Sequence, residues 1–357
     1  MIEETSYAGD VAEAMDLSSS AYAGDVAGEL SLSSSAYGGN VADAINGGDP
    51  VAPPTLRAMQ YNLGHFSKGQ SATSYITSST YATMREKWKT LIQGVNADII
   101  GLPEYAVNFG NDGNGNVPTK TCGIFDGYNL TSDDKIKVAA SGWWINVLAS
   151  KYPMTDEGNT NLGSLSGASS AYIQFATVTI KGKPVKIGVT HLNWAKTQTH
   201  IDSRAVEVKN LIKLLNEWLE DYDYVILFGD FNTDGFVVQS ASKTEAEFLE
   251  GAEEFDQFIY GFDETVNGVT NHINGGFTLA NHGQWGDLKT CNATGSRPDL
   301  LTNADFGNNN PNTFYNRPYC VLDNIIVKGF TMSNVHVIDD GSLTDHCAVW
   351  CDLTMID

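Results

Sequence analysis

Six apolar runs in this sequence break at an acid, an amide or a histidine. "QYNLG" presents Asn62, "GLPEY" Glu104, "VTHLN" His191 and "GDFN" both Asp230 and Asn232; "VLDNI" presents Asp323, and "LTDHCAV" presents Asp345 and His346. One such acid or amide at a strand end is ordinarily a turn or cap residue. A lone histidine beside an apolar run is ordinarily a satisfied core residue. Six breaks in one chain form a chemical set. Carboxylate and amide oxygens suit a hard cation that keeps several waters. Histidines hydrogen-bond phosphate oxygens or carry protons near neutral pH. These are the groups that metal-dependent hydrolysis requires. In "LFGDFNTD" (227–234), alternation at period two predicts that Asp230 and Asn232 point the same way from one strand end.

The elements that would position these groups are legible as patterns. "LRAMQYNL" (56–63) alternates like a strand, and "ADIIGLPE" (97–104) is a short apolar strand ending in an acid. "WWINVLAS" (143–150), "AYIQFATVTI" (171–180), "PVKIGVTHL" (184–192) and "YVILFGDFN" (224–232) read as further strands. "CVLDNIIVKGF" (320–330) and "DHCAVWCDLTM" (345–355) read likewise. Helical spacing marks 81–96, with Trp88, Leu91, Ile92 and Val95 on one side, and 203–222, with Val208, Leu211, Ile212 and Leu215. A third helix is expected over 244–259, and 264–320, rich in Gly, Asn and Thr, reads as long loops. Strands outnumber helices and the helices fall between strand groups, which predicts a sheet-on-sheet core with helices outside.

Composition sets the outer bounds. The 357 residues are 42% hydrophobic, enough for one large domain or two smaller ones. The net charge of −22 opposes tight nonspecific binding to DNA or RNA unless cations intervene. It leaves a phosphate substrate open, because acids that bind a cation can present it to a phosphate. The five cysteines form no CxxC pair and no zinc spacing. Cys347 and Cys351 would lie about 13 Å apart on one strand at ~3.3 Å per residue, beyond the ~7 Å limit of a disulfide. They read as buried structural thiols, and an odd count is compatible with a reducing compartment. The acidic start, "MIEETSYAGD", has no apolar signal-peptide core, and no run reaches the length of a membrane span. The expected location is cytoplasmic or virion-associated.

The first fifty residues have another texture. "SYAGDVAEAMDLSSS", "AYAGDVAGELSLSSS" and "AYGGNVADAINGGDP" (6–50) align without gaps at a period of 15, repeating Tyr7, Tyr22 and Tyr37 and Val11, Val26 and Val41. Each unit is too small to bury much alone. Residues 1–50 therefore read as a flexible leader, or as a docking arm that gains avidity from repeated weak contacts on a larger assembly. Residues 51–55 follow as a linker, and 56–357 as the catalytic domain.

In order, "RAMQYNLGH", "ADIIGLPEY", "VTHLN", "FGDFN", "VLDNIIV" and "LTDHCAV" resemble the signature segments of the endonuclease/exonuclease/phosphatase superfamily, the deoxyribonuclease I-like fold. The resemblance spans about residues 56 to 355. It implies a four-layer α/β sandwich: two packed mixed β-sheets, helices outside, and a site at one end. By position it implies Glu104 as the main Mg2+ ligand with Asn62 beside it and Asp345 in support; Mn2+ or Ca2+ could replace Mg2+. It implies that Asp230 orients or deprotonates the attacking water while Asn232 holds a phosphate oxygen or the nucleophile. Asp323 would orient His346, which would stabilise charge on the phosphate, and His191 would serve the leaving group or the phosphate. "WWINVLASKYPM" resembles the family's strand and turn that bring Asn146 near the site. Gly64 stands where some members of that family carry an acid, and Pro103 where a Gln is usual. His65, Lys68, Arg297 and Arg317 are further candidates for substrate contact. The function implied is a metal-dependent phosphodiesterase, a nuclease by subclass, acting on a phosphodiester such as nucleic acid. Two alternatives stand beside it: a phosphatase of lipid or inositol phosphates, and an appendage protein whose repeats anchor an enzyme-like head.

Overall fold

A computed structural model describes residues 55–64, 82–105, 123–132, 135, 145–193, 198–232, 253–280, 322–338, 343–344 and 346–356. The leader repeats and the linker up to residue 54 lie outside the described residues. Fourteen strands are described: β1 (Thr55–Gln60), β2 (Ile99–Leu102), β3 (Asn129–Leu130), β4 (Val147–Ser150), β5 (Met154–Asn161), β6 (Tyr172–Ile180), β7 (Lys183–His191), β8 (Tyr224–Asp230), β9 (Phe262–Val266), β10 (Val269–Ile273), β11 (Thr278–Leu279), β12 (Asp323–Lys328), β13 (Phe330–Ile338) and β14 (Ala348–Met355). Helices α1 (Ala82–Val95), α2 (Gln198–Asp221) and α3 (Glu253–Tyr260) accompany them.

Two six-stranded sheets carry the architecture. One has the order β13-β14-β1-β2-β4-β3, the other β11-β12-β8-β7-β6-β5. Each is mixed: β1 runs parallel to β2 and β7 parallel to β8, and the remaining neighbours are antiparallel. Strand alternation separates three cores. Leu56 and Ala58 of β1 pack between the sheets with Val185, Ile187, Ile226, Phe228, Ile325 and Val327. Met59 and Tyr61, one residue out of phase, pack beneath α1 against Trp88 and Ile92. Val225 and Leu227 of β8 face the opposite way, toward Leu211 and Leu215 of α2 and Phe255 and Phe258 of α3. Helix, sheet, sheet, helix is thus a four-layer α/β sandwich. β8 is buried at every position because both of its faces are covered. Burying each large side chain there contributes about 1.5–3 kcal/mol. Gly101 lets the sheets close: a Cβ on it would come within 2.1 Å of the Phe228 Cβ.

Several expectations need correction. The 264–320 stretch is not all loop: β9 and β10 form a hairpin across Asn267 and Gly268, and β11 pairs with β12. Both hairpin-tip residues take positive φ, the geometry that Asn-Gly supplies cheaply. The expected 320–330 strand ends at Lys328, and a second strand, β13, starts at Phe330. β5 lies in an edge position that no alternation announces. The described part of the third helix is 253–260. Cys347 and Cys351 are buried, and burial pushes the Cys351 thiol far above its ordinary pKa.

Candidate active site

The inner face of the sandwich changes from apolar to polar at one end. On β1 the inward positions run Leu56, Ala58, Gln60 and then Asn62 just beyond the strand; on β7 they run Val185, Ile187, Val189, His191. On β8 they run Ile226, Phe228, Asp230, and on β12 Val327, Ile325, Asp323. Register aligns the three polar ends of one sheet: His191 pairs with Asp230, and Asp230 pairs with Asp323. A histidine and two acids therefore form a row across three adjacent strands. All three are buried, Asp323 completely.

The other sheet and a loop close on this row. Asn62 Nδ2 donates to Asp230 Oδ2 at 2.8 Å and to Glu104 Oε1 at 3.3 Å. Its Oδ1 accepts the Gly64 N–H at 2.9 Å, which fixes which way the amide faces. His346 Nδ1 donates to Asp323 Oδ2 at 2.7 Å, and its Nε2 lies 3.6 Å from Asp230 Oδ2. His191 Nε2 lies 3.5 Å from the same oxygen and 3.8 Å from Glu104 Oε1. The structure thus brings together Asn62, Glu104, His191, Asp230, Asp323 and His346. Asp345, His65, Lys68, Arg297 and Arg317 lie outside the described residues. Asn146 donates across the sandwich to the Tyr172 carbonyl at 2.9 Å.

Two of these residues owe their position to left-handed backbone. Glu104 has φ 51° and Asn232 φ 50°, conformations that cost a non-glycine residue roughly 1–2 kcal/mol. At Glu104 the flanking backbone holds the turn: Leu63 N–H donates to Pro103 O at 3.1 Å and Tyr105 N–H to Ile145 O at 3.0 Å. Alternation alone would send Glu104 outward with Ile100 and Leu102; the turn brings it to Asn62. Asn232 corrects the sequence-based expectation. β8 ends at Asp230, so strand alternation does not reach Asn232. A turn joins the two instead: Asn232 N–H donates to Asp230 Oδ1 at 3.0 Å, and its Nδ2 to Leu192 O at 3.0 Å.

Electrostatics follow from burial. Desolvation and then the neighbouring Asp323 hold the Asp230 carboxyl well above the usual carboxylate range; His346, Asn62 and Asn232 pull it back only partly. Asp230 is therefore a stronger proton acceptor than an exposed aspartate. Glu104, His191 and Asp230 offer ligand atoms within 4.8 Å of one another, as do Asp230, Asp323 and His346. Buried carboxylate oxygens beside imidazoles fit a divalent cation.

Sequence reasoning passed over two groups. Gln60 sits two residues before Asn62 on the same face, and its Nε2 donates to Asp323 Oδ1 at 3.1 Å; the period-two count that found Asn62 reaches it as well. The second group lies where β7 meets α2. Glu207 accepts the Asn193 backbone N–H at 3.1 Å, the Asn193 side-chain amide and the Ser203 hydroxyl at 3.2 Å. Arg204, fully buried, donates to Asn193 O at 2.9 Å. This group anchors the chain directly after His191; no local pattern announces it, because Asn193 and Glu207 are fourteen residues apart.

A row of acids and histidines at the end of a two-sheet sandwich defines the class of phosphoester hydrolases built on the deoxyribonuclease I-like fold. The model of the Endonuclease/Exonuclease/phosphatase family matches residues 59–346, and the chain belongs to that family. Its members are divalent-metal-dependent hydrolases of phosphoesters. Similar solved structures include D. rerio TDP2 complexed with a single-strand DNA product, at 14% identity over 84% of this chain and 99% of that one, TM-score 0.52. The human Nocturnin catalytic domain with bound sulfate is 15% identical over 85% and 96%, TM-score 0.52. A mannosyl-6-phosphatase of Bacteroides thetaiotaomicron is 11% identical over 84% and 100%, TM-score 0.51. At these identities the likeness establishes the fold. Comparison with curated proteins gives no significant match.

Proposed function

We propose that this chain is an Mg2+-dependent phosphodiesterase, a nuclease by subclass, that attacks its substrate with an activated water. The observation that carries this reading is Asp230: a buried carboxyl of raised basicity, set between two imidazoles whose Nε2 atoms lie 3.5 and 3.6 Å away. Asp230 accepts the proton of the attacking water. Asn232, fixed by its turn, orients that water or a phosphate oxygen. His346, its ring set by Asp323, donates from Nε2 toward the negative charge that grows on the phosphoryl oxygens. His191 serves the leaving oxygen or the phosphate. Glu104, with Asn62 beside it and Asp345 in support, would hold the cation. When bound, the ion supplies Lewis-acid polarisation of a phosphoryl oxygen and offsets charge. The repeats of residues 1–50 act separately, as an arm that docks the enzyme on a larger assembly such as a virion.

The test is a turnover panel of plasmid DNA, single-stranded RNA, bis-p-nitrophenyl phosphate and an inositol polyphosphate, each with Mg2+ or EDTA. Cleavage of a nucleic acid and of the small diester is expected with Mg2+, absent in EDTA, lost in His346→Ala and retained without residues 1–50. Response to the inositol polyphosphate alone would reassign the chain to the phosphatases. Silence of the folded protein on all four would leave an anchored structural head as the better reading.

A further inference from the structure

We propose that Gln60 is a positioning residue for the Asp323–His346 pair, an inference that rests on the phosphodiesterase reading above. The end of β1 and the residues just beyond it present two amides, Gln60 and Asn62, to the two acids that face each other across β8 and β12. Asn62 takes Asp230 and Gln60 takes Asp323, so each acid of the pair is held from the opposite sheet. The two oxygens of Asp323 are thereby divided. Oδ1 accepts the Gln60 amide at 3.1 Å and Oδ2 accepts His346 Nδ1 at 2.7 Å. A carboxylate held at one oxygen can still turn about its Cβ–Cγ bond. Held at both, its plane is fixed, and with it the ring that leans on it. The ring's far nitrogen is the one 3.6 Å from Asp230 Oδ2, so the setting passes from Gln60 through Asp323 to the reacting end of His346.

The surroundings of Gln60 point to the same purpose. The side chain is fully buried, and its Oε1 has no hydrogen-bond partner among the described residues. That oxygen stands 2.9 Å from where a Cβ on Gly101 would be, and Phe228 fills the rest of that space. An apolar side chain of equal length would fill the site without burying an unpartnered carbonyl. What it could not do is donate to Asp323. A glutamine that served only to tie the sheets together would be replaceable by methionine with no change at His346.

Two variants separate these roles. Gln60→Met keeps the volume and removes the donor; Gln60→Glu keeps the shape and replaces the amide with a carboxyl. The first readout is the far-downfield proton resonance expected for a 2.7 Å Nδ1–H to carboxylate bond, assigned by its loss in His346→Gln. It should be present in the unmodified protein and shifted, or lost to exchange, in both variants. The second readout is turnover of bis-p-nitrophenyl phosphate. kcat should fall at least about tenfold while KM stays within about twofold, with the melting temperature of Gln60→Met at or above that of the unmodified protein. An unmoved resonance, or an unmoved kcat, overturns the inference. An unmodified protein silent on every substrate would end the phosphodiesterase reading alone, because the resonance would still decide whether Gln60 sets the pair.

Discussion

Two buried polar clusters lie within a few residues of the end of β7, and they are built on opposite rules. Around Glu207, donors converge on one acid: a backbone N–H, an amide and a hydroxyl, with the guanidinium of Arg204 close by. Around Asp230, two acids are placed face to face by sheet register, and the groups that approach at 3.5–3.6 Å are imidazoles beyond good hydrogen-bond range. Both carboxyls are pushed up by burial. The partners of Glu207 then all pull it down, whereas Asp323 pushes Asp230 further up. The first cluster is closed on itself and stiffens a backbone turn. The second holds unspent affinity for a proton or a cation, which is what a reacting centre needs.

The contrast can be broken from either side. The largest effect is expected from Asp230→Ala: initial rates on a diester substrate should fall about a thousandfold or more. Calorimetry should find it at least as stable as the unmodified protein, because a buried acid–acid contact is gone. Glu207→Ala should behave in reverse. It removes the carboxyl that offsets the buried Arg204 guanidinium and leaves the Asn193 and Ser203 donors without their acceptor, and urea unfolding should report a loss of about 3 kcal/mol. The variant that remains folded should keep most of its turnover. A large kcat loss at unchanged stability would show that the Glu207 cluster belongs to the chemistry after all.

The smallest effect sharpens the comparison through pH. Burial raises Glu207 from its ordinary 4.5 to about 7. The fold therefore holds this proton more tightly than the unfolded chain does, so the stability tied to it is full below about 4.5. It falls as pH rises toward 7 and is level above. Stability of the unmodified protein minus that of Glu207→Gln should decline across this window by roughly 1–3 kcal/mol. Taking the difference removes the parallel contribution of Asp230.

Most of the candidate site was legible in the sequence because four of its side chains obey a single count. Asn62, His191, Asp230 and Asp323 are inward positions of strands whose preceding inward residues are apolar. Glu104 and Asn232 escape that count, since positive φ turns each away from alternation. The order of residues marks these positions without showing their direction. The fold was legible where strands are buried on both faces, as in β8. β5, with the sequence MTDEGNTN, covers little and carries no apolar rhythm. The 262–273 hairpin was hidden by composition: Gly, Asn and Thr read as loop, although Asn267-Gly268 was the signal for a tight turn. His346 was marked by the break in LTDHCAV, whereas Glu207 depends on contacts across the chain that no local pattern records.

The position of β14 has a consequence for when this protein acquires activity. β14 is not an edge strand but lies between β13 and β1, pairing Thr55 with Thr354. The chain must therefore be made almost through residue 355 before the middle of one sheet can close. Gln60 likewise waits for an acid 263 residues further on, Asp323 of β12. Contacts of such long separation form late and slowly. A nascent chain still short of β14 already has Asp230 of β8 and Asp323 of β12, but the sheet that presents Asn62 and Gln60 to them is not closed, so the candidate centre is complete only when synthesis of this strand is done.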